Sequence, residues 1–179
     1  MKRIFFDLET QRLAMEVEGG WNNIRGFGLS IAVTWDEENE FRCWNESSAR
    51  ELVDELARFD TIVGFNLLDF DYEVLNAYRD DVHQLLDKKT FDVFDDLRCR
   101  LEEGQKWQSL EEVALNTLGK FKLGSSCDAV VWFRENKISK LIEYCKRDVE
   151  LVRDIYRFGV EHGVVYYKGK IKVDWGEEQ

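Results

Sequence analysis

The chain has 179 residues, a formal net charge of −11, 44% hydrophobic and 13% aromatic residues. That size and apolar content suit one globular domain over residues 1–179 and exclude a disordered chain. The acidic balance excludes a broad phosphate-binding surface, so a nucleic acid would have to be gripped locally. No apolar run is long enough to span a bilayer. The first apolar run carries Asp7 and Glu9 and so does not read as a signal peptide. Cys43, Cys99, Cys127 and Cys145 are scattered with no C-x-x-C pair, as expected of reduced thiols in a cytoplasmic protein without structural zinc.

Lys2–Leu8 is predicted to be a strand. Side chains alternate along a strand, so Ile4, Phe6 and Leu8 share one face and Asp7 and Glu9 the other. Desolvated carboxylates side by side are costly, and a divalent ion that prefers carboxylate oxygens removes the cost. A wet edge strand is the alternative reading of a bare D-x-E. Residues 9–25, with Gly19-Gly20, read as a loop. Gly26–Trp35 and Glu40–Trp44 read as two strands joined by a turn at Asp36–Asn39. Gly26-x-Gly28 enters a strand, unlike a nucleotide-binding glycine loop.

Ser48-x-x-Glu51 predicts a capping box opening a helix to about Phe59. Thr61–Phe65 has the continuous apolar character of a buried strand. Asn66–Phe70 then leads into a helix through Tyr78, which puts Asp71 near that helix's N-terminus, where a plain cap is the competing reading. Phe91–Leu101 reads as a strand end followed by a helix. Ser109-x-x-Glu112 is a second capping box, with Gly119 as the stop. Ser126–Arg134 and Ile138–His162 read as helices, the second ended by Gly163. Val164–Tyr167 and Lys170–Val173 form a terminal hairpin about Lys168-Gly169.

Asp148 falls on the apolar stripe of the long helix between Cys145 and Val152, with Tyr144 one turn before it on the same face. An inward Asp needs a partner: a buried Lys or Arg, the Tyr hydroxyl, or a metal. Three such acidic sites in one small chain favour the metal. Asp92, after Phe91 in an apolar context, has two readings, a support behind the acidic site and a helix cap, of which the cap is favoured. His83 and His162 are read as neither ligands nor bases. Trp21 and Trp107 adjoin polar loops and could each stack a base.

In this order and spacing, the segments Phe6-Asp7-Leu8-Glu9-Thr10, Asn66-x-x-x-Phe70-Asp71 and Tyr144-x-x-x-Asp148 resemble the DEDD exonucleases of the ribonuclease H-like fold. The third segment matches the tyrosine form; the histidine form would need His where Glu143 stands. The second selects Asp71 over Asp69. Within that group the chain looks most like predicted exonuclease domains found alone or joined to DEAD/DEAH-type helicases, a likeness that covers nearly the whole chain. It implies a three-layer α/β/α fold with a mixed central sheet.

The resemblance also implies a 3′–5′ exonuclease acting on the 3′ end of single-stranded nucleic acid, DNA favoured over RNA, and releasing nucleoside 5′-monophosphates. Asp7, Glu9, Asp71 and Asp148 would hold two divalent ions, Mg²⁺ or Mn²⁺, with Asp7 bridging both and Tyr144 orienting the attacking water. Thr10, Asn66 and Lys122 would contact substrate, although Asn66 reads equally as a turn residue and Lys122 as a solvated loop lysine. A helicase partner would supply the positive surface the chain lacks. The alternatives are a non-catalytic nucleic-acid- or helicase-binding module and a structure-specific endonuclease of the same superfamily.

Overall fold

The computed structural model describes residues 2–101 and 109–176; Trp107 lies outside them. The first strand, β1 (Arg3–Thr10), runs two residues further than its apolar alternation predicts. The extension is held by antiparallel pairing with β2 (Leu29–Asp36), in which Asp7 lies opposite Val33 and Glu9 opposite Ile31, with a bulge between Glu9 and Thr10. β3 (Glu40–Trp44) completes the antiparallel meander. Helix α1 (Ala49–Leu56) follows, and then β4 (Thr61–Gly64) pairs parallel to β1 through Arg3, Ile4 and Phe5.

The chain continues through α2 (Tyr72–Leu75) and α3 (Val82–Leu86) to β5 (Thr90–Asp92), parallel to β4. The sheet order is thus β3-β2-β1-β4-β5, mixed, with β1 at its centre. Helices α4 (Val93–Arg100), α5 (Leu110–Leu118), α6 (Ser126–Arg134) and α7 (Ile138–His162) follow. The strands β6 (Val164–Tyr166) and β7 (Lys170–Lys172) form the closing hairpin.

Two cores lie on opposite faces of the sheet, making three layers. Ile4, Phe6 and Leu8 of β1 pack with Leu52, Val53 and Leu56 of α1 and with Tyr72 and Leu75 of α2. Phe5 points the other way, into a core with Val33, Val63, Val149, Val152 and Tyr156 that α7 dominates. The two-residue period of β1 therefore sends Asp7 and Glu9, on the same face as Phe5, towards α7.

Several local expectations are corrected. The box expected at Ser48 forms one turn earlier: the Ser48 hydroxyl accepts from the Asn45 amide at 3.1 Å, and Ser48 makes no side-chain cap to α1. Helix α1 stops at Leu56, and Ala57–Phe59 tighten into turns that return Phe59 to the core. The helix expected through Tyr78 ends at Leu75. Tyr78 instead spans two loops, its hydroxyl accepting from the Leu29 amide and donating to Glu46, both at 2.8 Å. The short α3 buries only Val82 and Leu86, too few positions to mark a helical period. Among the described residues no helix is long and apolar enough to cross a membrane.

Candidate active site

Helix α7 crosses the β1 face that carries Asp7 and Glu9, and its 3.6-residue period brings Tyr144, Cys145 and Asp148 to that contact. One carboxylate oxygen from each of Asp7, Glu9 and Asp148 lies within 4.8 Å of the others. Glu9 and Asp148 are buried, while Asp7 is partly open to a cleft. Burial, with Asp148 close by, pushes the Asp7 carboxyl up to about 8. Burial and the neighbouring Asp7 and Asp148 likewise raise Glu9 well above the usual carboxylate range. Burial lifts Asp148 to about 6, less far because Lys122 opposes it. Held so closely, the three acids cannot all ionise unless cations share the space.

Asp71 reaches the same region by a different route. The β1–β4 ladder ends at Phe5 and Val63, leaving the Leu8 amide beyond the last β4 partner. After Gly64 the chain turns sharply, with Asn66 in the left-handed region at φ 67° and Leu67–Asp71 in one wide helical turn. Gly64 is required there, since a Cβ would stand 2.4 Å from the Leu67 side chain. The turn brings the buried Asp71 carboxylate to the Leu8 amide at 3.1 Å. Asp71 makes no cap to α2, so the capping reading is corrected: its partner lies across the sheet. Burial and the nearby Asp7 raise its pKa. It stands beside the Asp7–Glu9–Asp148 cluster without joining it. Asp69 is largely exposed and ion-paired to Arg98 at 3.3 Å.

Lys122 is not a solvated loop lysine. Its Nζ lies 2.5 Å from Asp148 Oδ2 and 5.0 Å from the centre of the Tyr144 ring. Burial works to discharge it, but Asp148, Tyr144 and Asp7 outweigh that and raise its pKa. Both cations considered from the sequence for Asp148, a lysine and a metal, thus have a claim on the same carboxylate. Its other oxygen, Oδ1, and the Tyr144 hydroxyl are buried with no hydrogen-bond partner among the described residues. Buried polar atoms rarely lack partners. Two such atoms in a set of carboxylate donors fit a divalent ion of the Mg²⁺ or Mn²⁺ kind with its water. Burial, Glu9 and Asp148 also raise the Tyr144 hydroxyl, which keeps its proton.

The remaining expected contacts divide. Asn66 lines the cleft beside Asp69 and Phe70. The Thr10 hydroxyl donates to the Arg12 carbonyl at 3.1 Å and stabilises the loop after β1. Asp92 caps α4 by accepting from the Phe94 amide at 3.0 Å, and also accepts from the Asn66 and Leu68 amides at 2.7 and 3.0 Å. One carboxylate thus joins α4 to the turn that presents Asp71. Cys145 was legible only as part of a helix stripe, yet its thiol lies 3.4 Å from the Asp7 carbonyl and 3.6 Å from Asp7 Oδ2. His83 pairs with Glu73 and Asp87 away from the cluster.

No protein-family model matches the chain. No characterised protein matches it by sequence. Among solved structures it is similar to the family B DNA polymerase from the hyperthermophilic archaeon Pyrobaculum calidifontis, with a TM-score of 0.62 and 13% identity. The match covers 89% of this chain and 24% of the polymerase chain, so the chain spans about a quarter of that protein. The fold is ribonuclease H-like: a mixed five-stranded sheet between two helical layers. At that identity the likeness is one of fold.

Proposed function

We propose that the chain is a metal-dependent 3′–5′ exonuclease that hydrolyses phosphodiester bonds of single-stranded nucleic acid, DNA in preference to RNA. The observation that carries this reading is the convergence of Asp7, Glu9 and Asp148 within 4.8 Å, beside a buried Asp148 Oδ1 that has no hydrogen-bond partner among the described residues. A fold similar to a DNA polymerase adds support for a nucleic-acid substrate.

In this reading Asp7, Glu9 and Asp148, with Asp71 alongside, would hold two divalent ions. Bound divalent ions supply Lewis acidity, lower the pKa of water and neutralise charge at a phosphoryl centre. The chain's own groups do the rest. Tyr144 keeps its proton, so it orients the attacking water by hydrogen bonding instead of removing a proton from it. Cys145 and the β2 ladder hold Asp7, and the Leu8 amide holds Asp71. Water adds across the phosphorus–O3′ bond. The 5′-monophosphate leaves, and one proton ends on the departing 3′ oxygen.

A second reading, a nucleic-acid- or helicase-binding module without hydrolysis, is favoured by the Lys122–Asp148 pair, which already neutralises one of the acids. Digestion of 3′- and 5′-labelled single-stranded DNA and RNA with Mg²⁺ or Mn²⁺, followed by product sizing, separates the readings. A ladder shortening from the 3′ end with mononucleotide product is expected. Internal cuts would mean an endonuclease, and binding without cleavage would mean the module.

A further inference from the structure

The cleft at the acid cluster has a volume of about 640 Å³, within the ordinary range for small-ligand sites, and its walls are aromatic. Trp21 is 68% exposed. Its ring lies 5.5 Å from that of the buried Phe27 and 6.1 Å from that of Phe70, which are themselves 6.0 Å apart. Phe65 and Phe94, which also line the cleft, lie 5.4 Å apart, with the Arg98 guanidinium 5.5 Å from the Phe94 ring. Asp7, Asp148 and Lys122 border the same space.

An exposed indole backed by two other rings is a face held ready for another planar group. The loop that carries it is anchored on several sides. Gln11 bonds the Leu29 carbonyl at 2.8 Å and Arg12 the Gly26 carbonyl at 2.9 Å. Arg25 pairs with Glu73 at 3.2 Å, and Glu16 with Arg134 of α6 at 2.5 Å. The stacking face is therefore built before any ligand arrives, which lowers the entropy lost on binding.

We infer that Trp21 is the stacking platform for an unpaired base of a strand whose terminal phosphodiester lies at the acid cluster. This rests on the nuclease reading and deepens it by assigning the selection for single strands. A base within a duplex has both faces covered by its neighbours, whereas an unpaired base offers one to the indole. Stacking on a π-face is indifferent to base identity, so Trp21 confers strand-state selectivity without sequence selectivity.

The test compares wild type, Trp21→Ala and Trp21→Phe for binding to labelled single-stranded oligothymidylate of about ten nucleotides, a length of the order single-strand sites cover. Binding is measured in EDTA and in Ca²⁺, with intact strands and with strands carrying an abasic residue at one of the 3′-most positions. Trp21→Ala is expected to bind the intact strand roughly 5- to 100-fold more weakly. Trp21→Phe should keep most of the affinity. At one abasic position wild type and Trp21→Ala should become equal. Because Trp21 is exposed, the thermal midpoints should stay close, which separates loss of stacking from loss of fold. Equal binding of the intact strand by wild type and Trp21→Ala would overturn the assignment and leave the nuclease reading standing. So would a Trp21→Ala loss that is the same at every abasic position. A wild-type chain that binds no strand under either condition would overturn both.

Discussion

Lys122 Nζ stands 2.5 Å from Asp148 Oδ2, so the chain itself supplies one cation to the acid cluster. Breaking a buried pair by removing one partner leaves the other charge uncompensated, typically at a cost of about 3–5 kcal/mol. In metal-free buffer Lys122→Met should therefore lower the thermal midpoint by several degrees. A divalent ion then meets carboxylates with no internal competitor. Calorimetry or Mn²⁺ paramagnetic resonance should show affinity raised by roughly tenfold, equivalent to about 1.4 kcal/mol. Unchanged Mn²⁺ affinity would mean that lysine and ion occupy separate places.

The pH dependence of stability follows from Asp7, whose pKa rises from 3.8 unfolded to about 8 folded. Below the lower value both states hold the proton. Between 3.8 and about 8 the unfolded chain has released it while the folded chain keeps it, so metal-free stability falls as pH rises across that window. Asp148, raised to about 6, adds to the fall over the lower part. The slope can reach about 1.4 kcal/mol per pH unit for each retained proton. Thermal melts in EDTA should therefore show a higher midpoint at pH 6 than at pH 8. Mn²⁺ requires the deprotonated carboxylates, so it should flatten or reverse the trend. Asp7→Asn should remove one retained proton's share of the EDTA slope, leaving the shares of Glu9 and Asp71, which are raised as well, and should remove all cleavage. A metal-free midpoint that rises from pH 6 to pH 8 would contradict the assigned burial of these acids.

Asp71 and Asp69 differ by two positions and by nearly everything around them. Asp71→Asn keeps an oxygen for the Leu8 amide but loses a charge beside Asp7, and should abolish nearly all cleavage with the fold intact. Asp69→Asn loses an exposed pair with Arg98, worth at most about 1 kcal/mol, and should cost activity less than about threefold. The reverse ranking in a single-turnover assay would put the second acidic segment in the wrong register.

What the sequence made legible was whatever obeys a local period. The alternation in β1 separates Ile4, Phe6 and Leu8 from Asp7 and Glu9, and the stripe of α7 turns Asp148 inward; both need only neighbouring residues. The Ser109 box forms as expected, with the Glu112 amide 3.2 Å from its hydroxyl. The Ser48 box does not, because Asn45 offers a competing cap three residues earlier and the same hydroxyl serves only one. Contacts between distant segments were hidden. The Leu8 partner of Asp71 exists only because β4 stops short, and the position of Lys122 depends on where the loop before α6 crosses α7.

Asp92 is the clearest long-range case, a residue that reads as a simple cap and also fixes the turn bearing Asp71. Asp92→Ala removes an acceptor from the Phe94, Asn66 and Leu68 amides together. Loss of the cap alone costs about 1 kcal/mol, and each stranded amide about 1–3 kcal/mol. A loss near 3 kcal/mol would lower the midpoint by about 6–12 °C in a chain of this size. Cleavage should also fall below the temperature at which the variant unfolds, because Asp71 loses its support. Asp92→Asn should recover part of both. A variant that is destabilised yet fully active when folded would confine Asp92 to the capping role.

The last prediction concerns how weakly the isolated chain should hold its substrate. Its net charge is −11, and the two basic residues that line the cleft, Lys122 and Arg98, are already engaged, as is Lys120 two residues before Lys122. Lys122 pairs with Asp148, Lys120 with Asp154 at 2.7 Å, and Arg98 with Asp69 and Asp95. Few phosphates can then be neutralised without breaking an internal pair. With two or three such contacts, the logarithm of affinity should fall against the logarithm of salt with a slope of roughly −1.4 to −2 for a single strand. Affinity near physiological salt should sit in the micromolar range or weaker, and cleavage should decline with added salt through KM, leaving kcat nearly unchanged. A helicase or another basic protein tethered to the chain should lower KM and weaken the salt response, because it supplies the missing attraction at high local concentration. Filter binding and steady-state kinetics from low to physiological salt test this directly. Tight binding by the lone chain without metal at physiological salt would mean that a basic surface exists elsewhere on the protein, and a helicase would then have no electrostatic deficit to fill.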